Sequence, residues 1–425
     1  MSSTVSRPAE RKSLDTAWVR QQFPSLQTQV NGQPAAFLDG PAGTQVPQQV
    51  IDAIQKYLLH DNANTCGAFA TSRRNDAMIA GARQAMADFF NCAPDEVSFG
   101  QNMTTITFAL ARAIGHALNP GDEVIVTTLD HDANVAPWRA LEEKGIVIRQ
   151  VEIHEQDCTL DMEDLQRKLT KKTKLVAVGY ASNAVGTINP VAGIAKLAHS
   201  AGALIFVDAV HYAPHGAIDV QALDCDFLAC SPYKFFGPHM GTLYGKREHL
   251  MRFAPYKVRP APDALPDRWE TGTQVQELIA GIAAAVEYLA TLGKRHDPAA
   301  QDRRSALLAA YRVTHEHEMA LLAKLMQGLQ RIEGLRIFGI TDPVKFDQRC
   351  STVSIRLARR TPTELATFLG EHGIFTWDGN FYALNLTERL GVQSTGGLLR
   401  IGLVHYNTAE EVDRLLAALR EFSRS

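Results

Sequence analysis

Between residues 97 and 245, short and continuously apolar segments alternate with segments of helical pattern, and this alternation strongly constrains the fold. The apolar segments lie at 97–100, 123–127, 146–153, 174–182, 203–210, 226–231 and 241–245. Strands that are apolar along their whole length are buried on both faces. Because helical segments separate most of them, the pattern predicts an α/β fold in which helices cover both faces of a mostly parallel sheet.

The chain changes character after residue 275. Two long helices are predicted at 276–292 and 299–330, strands at 335–338, 351–357 and 398–403, and helices at 363–372 and 409–420. This order is typical of an α+β domain. We therefore expect a large α/β domain over 36–292 and a small α+β domain over 1–35 and 293–425, with the site where they meet. Near the start, a short amphipathic helix is predicted over 14–26, and 62–72 is expected to be a loop.

Composition excludes several classes of function. The chain has 43 basic and 46 acidic residues, so neither a nucleic-acid partner nor an anionic membrane surface is expected. No apolar signal segment opens the chain, and 278–290 is too short to span a bilayer. The six scattered cysteines form no CxxC pair, which favours a reduced, cytoplasmic protein without disulfides.

No metal site is predicted. His315 and His317 lie close together in a helical segment, but the residue four positions after His315 is Met319. The two imidazoles therefore point in different directions, whereas a zinc helix presents both on one face.

Two residues behind buried strands carry the candidate chemistry. Asp208 lies near the end of the apolar segment 203–210, where a side chain faces the ligand crevice of an open α/β sheet, although an aspartate there is also a common turn residue. Lys234 follows the apolar segment 226–231, and the glycines and prolines around it indicate a constrained loop. A lysine and a carboxylate placed in this way suit a pyridoxal phosphate (PLP) cofactor. This cofactor needs an amine to form a Schiff base and a carboxylate that keeps its ring nitrogen protonated.

The segments VDAVHYAPH (207–215) and SPYKFFGPHMGTLYG (231–245) resemble the signature of the class V aminotransferases and cysteine desulfurases, which are PLP enzymes of fold type I. Further segments follow in the family's order at 37–47, 98–108, 129–138, 182–190, 270–273 and 398–408. The resemblance implies a fold-type I PLP-dependent transferase fold.

The resemblance also implies roles for individual residues. Lys234 would form the Schiff base and shuttle protons, Asp208 would pair with the pyridine N–H, and His131 would stack on the ring and act in acid–base steps. The other cofactor-binding residues implied are Asn102, Met103, Thr104, Ser231 and Tyr233 for the phosphate, and Asn183 and His211 for the ring edge. Residues 102–104 open a helix, whose free N–H groups and dipole attract phosphate.

Two further residues extend the implied site. Arg400 lies in the apolar segment 398–403, where the family places the arginine that binds the substrate α-carboxylate; a structural ion pair is the other interpretation. Thr273 resembles the residue that reaches the phosphate of the partner subunit, which implies a homodimer with shared active sites.

The sequence departs from the desulfurase pattern where sulfur is accepted. Tyr382 stands where the desulfurases carry their persulfide-forming cysteine, and a phenol does not replace a thiolate there. Cys66 and Gly67 stand where desulfurases have histidine and arginine; Cys66 is either another nucleophile or a small apolar filler. Specificity is expected from loops at 62–72, 255–270 and 377–395.

The function expected is therefore a cysteine desulfurase-like β-lyase acting on an L-amino acid. It would release a sulfur group, a sulfinate, a selenol or a β-carboxylate through a quinonoid or enamine intermediate. An aminotransferase or epimerase on the same scaffold is the alternative, and a non-catalytic PLP-binding protein is a third interpretation.

Overall fold

The computed structural model describes residues 13–424, in which helices surround a seven-stranded and a four-stranded sheet and three further strand pairs complete the β structure. The strands are β1 (Gln29–Val30), β2 (Gln33–Pro34), β3 (Ala36–Phe37), β4 (Val97–Gly100), β5 (Glu123–Thr127), β6 (Val147–Val151), β7 (Ile153–His154), β8 (Thr159–Leu160), β9 (Thr173–Gly179), β10 (Leu204–Asp208), β11 (Phe227–Cys230), β12 (Gly241–Gly245), β13 (Leu335–Phe338), β14 (Thr352–Leu357), β15 (Ile374–Phe375), β16 (Trp377–Gly379) and β17 (Leu398–Gly402).

The α-helices account for most of the remaining regular structure. They are α1 (Thr16–Gln21), α2 (Gln48–His60), α3 (Ala70–Phe90), α4 (Met103–Gly115), α5 (Ala136–Arg139), α6 (Met162–Lys168), α7 (Val191–Ser200), α8 (Val220–Leu223), α9 (Arg247–Arg252), α10 (Gln276–His296), α11 (Arg303–Leu329), α12 (Pro362–Glu371), α13 (Leu384–Arg389) and α14 (Ala409–Arg424). Within residues 13–424, none of these helices combines the length and apolarity needed to cross a membrane.

The large sheet has the order β4-β12-β11-β10-β9-β5-β6. The pairs from β11 through β6 are parallel, as the sequence predicts, whereas β12 runs antiparallel to both of its neighbours. Its strands other than the edge strand β6 are buried almost throughout because apolar helices pack on both faces. Chain order reverses between β5 and β9, and the crevice at their carboxyl ends is where ligands bind in sheets of this kind.

The second sheet is antiparallel, with the order β13-β14-β17-β16. Its apolar face packs against α11, α12 and α14 in a core of its own, which includes Leu325, Val353, Leu399 and Leu415. Ala36 and Leu38 also belong to this core, whereas Val19 and Phe23 pack in the core of the large sheet. The predicted boundary at residue 36 therefore stays a proposal, because the segment 14–38 contributes to both cores.

Two early helices differ from their predictions. The helix expected over 14–26 ends at Gln21, and a 3-10 turn starts at Pro24, whose ring and missing N–H oppose a continuing helix. The loop expected over 62–72 is replaced from Ala70 onward by the 21-residue helix α3. The apolar periodicity of the sequence does not indicate α3, because this helix buries polar residues on its inner face. Asn75 is fully buried, and buried Arg83 forms ion pairs with Glu270 and Asp267.

Arg349 holds the two sheets together. Its side chain is fully buried, and its guanidinium donates to four backbone carbonyls, those of Val185, Ile340, Cys350 and Thr352. Val185 follows β9 of the large sheet, whereas the other three carbonyls belong to the small-sheet segment. Burial lowers the pKa of Arg349 to about 10, so the side chain stays charged at neutral pH.

We predict that Arg349→Leu destabilises the protein by about 3 kcal/mol or more. The substitution leaves four buried carbonyls without their donor, and each unsatisfied group costs about 1–3 kcal/mol before relaxation. The urea midpoint and Tm measure the effect. Arg331→Leu is the matched control, because Arg331 is exposed and its loss should change stability by less than about 0.5 kcal/mol. Equal losses in both variants would contradict the role of Arg349.

Candidate active site

A cavity of about 380 Å³ lies at the carboxyl ends of β5, β9, β10 and β11. Segments after these strands supply its floor, and the turn after β3 supplies one wall. The small sheet supplies the opposite wall through β16, β17 and the loop after β16. The site therefore lies where the two parts of the chain meet, as the sequence predicts.

Most of the predicted site residues line this cavity. They are Asn102, Met103, Thr104, His131, Asn183, Asp208, His211, Ser231, Tyr233, Lys234 and Arg400. Thr273 is exposed on another segment and does not line the cavity of its own chain. None of the six cysteines, all of which belong to the described part of the chain, lines it, and Cys66 is exposed in the loop before α3.

Lys234 ends a 3-10 turn that follows β11, and its ammonium group is buried. Its Nζ donates to the carbonyls of Pro41 and Ala42 in the turn after β3, the second at 3.0 Å. Burial, together with the positive charge of Arg400, lowers the pKa of Lys234 to about 7. A substantial fraction is therefore a neutral amine at neutral pH, which is the form that attacks an aldehyde.

Two carboxyl groups lie below the cavity. Asp208 ends β10 and accepts from the Val210 N–H at 2.9 Å, and burial raises its pKa to about 6. Asp130 follows β5 and accepts from the Gly179 N–H at 2.6 Å, which links the two strands on either side of the crevice. Burial and the neighbouring charge of Asp208 raise the pKa of Asp130 to about 8. Asp130 is therefore largely protonated, which leaves Asp208 as the acid available to a cationic ring nitrogen.

His131 follows Asp130 and presents its ring to the cavity. Its Nδ1 accepts from the Ala133 N–H at 3.0 Å, so the proton of the neutral ring lies on Nε2. Burial, with smaller effects from Lys234 and Arg400, lowers the pKa of His131 to about 4. The imidazole is thus neutral at pH 7 and suited to stack on an aromatic ligand.

The N-terminus of α4 forms the far end of the cavity. Asn102 caps the helix by accepting from the Thr105 N–H at 2.8 Å, and the Met103 N–H donates to Ser231 Oγ at 3.2 Å. A Cβ at Gly241 would lie 2.5 Å from the backbone of Asn102, so strand and helix end approach closely only with glycine there. Converging N–H and hydroxyl donors at a helix N-terminus suit a phosphate group.

Arg400 enters from β17 of the small sheet. Its side chain is buried and donates to the Asn183 carbonyl at 2.9 Å, and its guanidinium carbon lies 4.3 Å from the centre of the Phe381 ring. No carboxylate among residues 13–424 forms an ion pair with it, so a structural ion pair does not explain this arginine. Burial lowers its pKa to about 9, which leaves it cationic at neutral pH.

Three buried polar atoms around the cavity have no hydrogen-bond partner: Asp39 Oδ1, Asn183 Oδ1 and Arg400 Nε. Buried polar groups are normally satisfied, so orphans that share one cavity indicate a polar ligand. Together with the helix end, the buried acid and the neutral amine, they fit PLP and an amino-acid carboxylate.

Sequence reasoning missed several lining residues. Asp39 lies in the FLDGPAG segment directly after β3, and its pKa is raised to about 6 by burial. Its position after a short strand, like that of Asp208, was the signal available. Trp377 and Phe381 also line the cavity, and Tyr382 joins them at its mouth. Their loop lacks regular spacing, so its conformation was not readable.

A buried group of possible metal ligands beside the site is already engaged. The ligand atoms of His211, His215 and Cys350 lie within 4.8 Å of one another. However, His211 Nε2 is hydrogen-bonded to Thr352 Oγ1 and His215 Nδ1 to Glu318, at 3.1 and 2.7 Å. Burial raises the pKa of the Cys350 thiol, which opposes the thiolate a metal needs. These residues form a structural network instead.

Comparison with known proteins gives a consistent result. Residues 36–415 match the family model Aminotransferase class-V. A cysteine desulfurase of Dickeya dadantii is 34% identical, with 99% of each chain covered, and a probable cysteine desulfurase of Synechocystis sp. is 34% identical over 95% of this chain and 94% of the relative.

Solved structures agree in fold along almost the whole chain. The apo cysteine desulfurase of Thermococcus onnurineus matches with a TM-score of 0.86 at 26% identity, covering 97% of this chain and 99% of that one. A cysteine desulfurase of Escherichia coli matches with a TM-score of 0.82 at 27% identity, covering 96% and 98%. The match confirms the predicted fold-type I architecture. The chain belongs to the class V aminotransferase family and is a PLP-dependent enzyme of the cysteine desulfurase-like type.

Proposed function

We propose that this enzyme is a β-lyase that acts on an L-amino acid without a persulfide-forming cysteine. One observation supports this proposal above the others. Lys234, Asp208, His131 and Arg400 converge on one cavity, whereas no cysteine of the described chain lines it and Tyr382 occupies its mouth. The site has what is needed to activate an amino acid, but it has no thiol to accept sulfur.

Each residue's proposed role follows from its position in the cavity. The Met103 N–H, the Ser231 hydroxyl and the Thr104 segment would hold the phosphate, Asp208 would keep the ring nitrogen protonated, and His131 would lie against the ring. PLP, when bound in this way, withdraws electrons from the substrate Cα. Lys234 is the base that can receive the Cα proton, because its pKa near 7 suits proton transfer at neutral pH.

Arg400 would bind the substrate α-carboxylate. Its unpartnered Nε and its buried cationic side chain offer a charge-assisted, bidentate contact. Loss of the Cα proton to Lys234 and departure of a thiolate or selenolate from Cβ with the bonding electron pair complete the elimination, and the resulting unsaturated amine hydrolyses to a keto acid and ammonia. A β-carboxylate or sulfinate would instead leave as CO₂ or SO₂, the electron pair would stay on Cβ and take up a proton, and the product would be alanine. Neither route requires an oxidant or an acceptor protein.

The other interpretations differ in what they require. A cysteine desulfurase, which is what the relatives are named, needs a nucleophilic thiol in the site. An aminotransferase needs a keto-acid acceptor, and an epimerase returns the Cα proton on the opposite face. A non-catalytic PLP-binding protein has no use for an arginine that holds a substrate carboxylate.

We propose a homodimer in which Thr273 completes the partner's site. Thr273 is exposed and outside its own cavity, as a residue that serves a second chain would be. Leu58, Leu59, Tyr256 and Val258 are also more than half exposed, and they lie on the α2 end and on the segment that leads to Thr273. Contiguous exposed apolar surface marks interaction sites, and we propose these side chains as part of the dimer interface. A reduced, cytoplasmic location is proposed as well, supported by six free cysteines in the described chain.

We predict that apoenzyme takes up PLP faster as pH rises through 7. The reactive form is the neutral amine of Lys234, whose fraction increases about tenfold between pH 6 and pH 8 for a pKa of about 7. The rate is followed by the visible absorption of the Schiff base. Lys234→Ala should show no Schiff-base absorption, and borohydride should attach no cofactor to it. Lys144→Ala, at an exposed lysine, should match the wild type in both measurements. A colourless wild-type protein would refute the proposed function.

A second prediction concerns the product. Holoenzyme given a panel of cysteine, cysteine sulfinate, selenocysteine, aspartate and S-conjugates should convert at least one of them without any added acceptor, releasing a keto acid where a thiolate or selenolate leaves and alanine where SO₂ or CO₂ leaves. Product formation that requires a keto acid would instead identify an aminotransferase. Cys66→Ala should keep at least about a tenth of the activity, because Cys66 lies outside the cavity; a near-complete loss would restore the persulfide mechanism.

A third prediction tests the shared site. The protein should have about twice the protomer mass of 46.6 kDa by light scattering. Thr273→Ala should weaken PLP binding about tenfold or more, as expected for a lost hydrogen bond to a charged group, and Thr271→Ala should not. In a mixed dimer of Lys234→Ala and Thr273→Ala protomers, one site receives both native residues. Recovery of its PLP affinity supports sharing, and no recovery would contradict it.

A further inference from the structure

The small-domain wall of the cavity is aromatic. Trp377, Phe381 and Tyr382 line it, and we call these three residues the aromatic lip. Trp377 on β16 pairs directly with Arg400 on β17, so both side chains lie on the same face of the sheet. The Phe381 ring packs under the Arg400 guanidinium. The lip therefore begins where the substrate carboxylate is expected to bind.

The loop that carries the lip is held in an unfavourable conformation. Phe381 and Tyr382 have φ angles of 56° and 58°, a region that large side chains rarely adopt. The Asn183 Nδ2 donates to the Phe381 carbonyl at 2.8 Å, and the Asp132 N–H donates to the Tyr382 carbonyl at 2.7 Å. Both donors belong to the large-sheet part of the chain. Strain of this kind, fixed by contacts across the site, is typical of functional positions.

Tyr382 is directed toward the site entrance. Its ring stacks on His131 with centroids 5.3 Å apart and planes 20° apart, yet 72% of the residue is exposed. Trp377 is 50% exposed. Exposed aromatic rings beside a buried arginine offer a flat apolar surface to whatever extends outward from the substrate Cβ.

Charge limits what that extension can be. Lys234 and Arg400 are the only lysine and arginine among the described residues that line the cavity. The first is committed to the cofactor and the second to the α-carboxylate. Burial lowers the pKa values of His131 and His211, so neither is a cation at neutral pH. Asp39 adds negative charge near Arg400. A second anionic group on the substrate would therefore lack a partner.

We propose that the aromatic lip selects amino acids that carry a neutral aromatic group beyond Cβ, such as S-aryl cysteines, over small or dianionic amino acids. The inference rests on the proposed function and narrows its substrate class. Among the leaving groups considered, it favours S-conjugates, and it disfavours sulfinates and β-carboxylates. Trp377 and Tyr382 act as specificity-determining residues.

The test measures binding to holoenzyme with three probes. L-Homophenylalanine has the shape of S-phenylcysteine but a CH₂ in place of the leaving sulfur, so it binds without elimination. L-2-Aminobutyrate lacks the ring, and L-glutamate replaces it by a carboxylate. Changes in the visible absorption of the cofactor report the dissociation constant. We expect L-homophenylalanine to bind at least about tenfold more tightly than either of the others.

Variants separate the lip from the rest of the site. Tyr382→Ala and Trp377→Ala should each weaken L-homophenylalanine binding by about fivefold to tenfold, and should leave L-2-aminobutyrate binding within about twofold. Tyr382→Phe should retain the affinity, because stacking needs the ring and not the hydroxyl. Leu384→Ala is the control, since Leu384 is a partly exposed apolar residue two positions from Tyr382 that does not line the cavity.

Each outcome bears on one proposal. Equal binding of the three probes by a yellow holoenzyme, or tighter binding of L-glutamate, overturns the aromatic lip and leaves the proposed function intact. Loss of affinity in Tyr382→Phe would assign selectivity to the hydroxyl and would also overturn it. If instead the wild-type protein forms no Schiff base, the proposed function is wrong, because no cofactor is then present to react with an amino acid.

Discussion

The burial of charged groups in one cavity is the constraint on which the rest of the site depends. Lys234 and Arg400 have pKa values lowered to about 7 and about 9, and Asp39 and Asp208 have values raised to about 6. Desolvation is the largest cause in all four cases. A fold tolerates such a cluster only where rigid surroundings hold it, and perturbed groups of both signs in one cleft are typical of an active site. A phosphate, a ring nitrogen and an α-carboxylate supply the opposite charges that these residues lack.

The geometry of this cluster depends on how two sheets meet. The parallel sheet delivers Asp208 and Lys234 from the ends of adjacent strands, and the antiparallel sheet delivers Arg400 from a central strand. Arg349 fixes the position of one sheet relative to the other, because it donates to the carbonyl of Val185 on the large-sheet side and to that of Thr352 on the small-sheet side. Val185 lies two residues after Asn183, whose carbonyl accepts a hydrogen bond from Arg400. A shift of the small sheet would therefore move the substrate arginine relative to the lysine. Structural and functional arginines are distinguished here by their acceptors: one is saturated by carbonyls, and the other retains a free Nε–H.

The sequence allowed prediction of those parts of the fold that follow from local pattern. The strands that end near Asp208 and Lys234 are apolar throughout, so their type and parallel packing were readable, and the family motifs placed eleven residues that line the cavity. Helix α3 was not predicted because buried Asn75 and Arg83 interrupt its apolar periodicity. The antiparallel direction of β12 was not predicted, because the apolar pattern of a five-residue strand is the same whether the strand runs parallel or antiparallel to its neighbours. The loop of Phe381 and Tyr382 depends on donors from Asn183 and Asp132, which lie far away in the chain.

The replacement at position 382 has a physical consequence beyond the loss of a nucleophile. A thiol can accept sulfur only if it reaches the leaving group as a thiolate, whereas position 382 carries a phenol ring that stacks on His131, in a loop that two carbonyls tie to the large-sheet part of the chain. A pinned aromatic ring cannot carry sulfur away, but it can hold the substrate end that departs. The same position would thus change from a reactant to a recognition surface. Activation at Cα by Lys234 and Asp208 needs no change for this, because it does not depend on what leaves from Cβ.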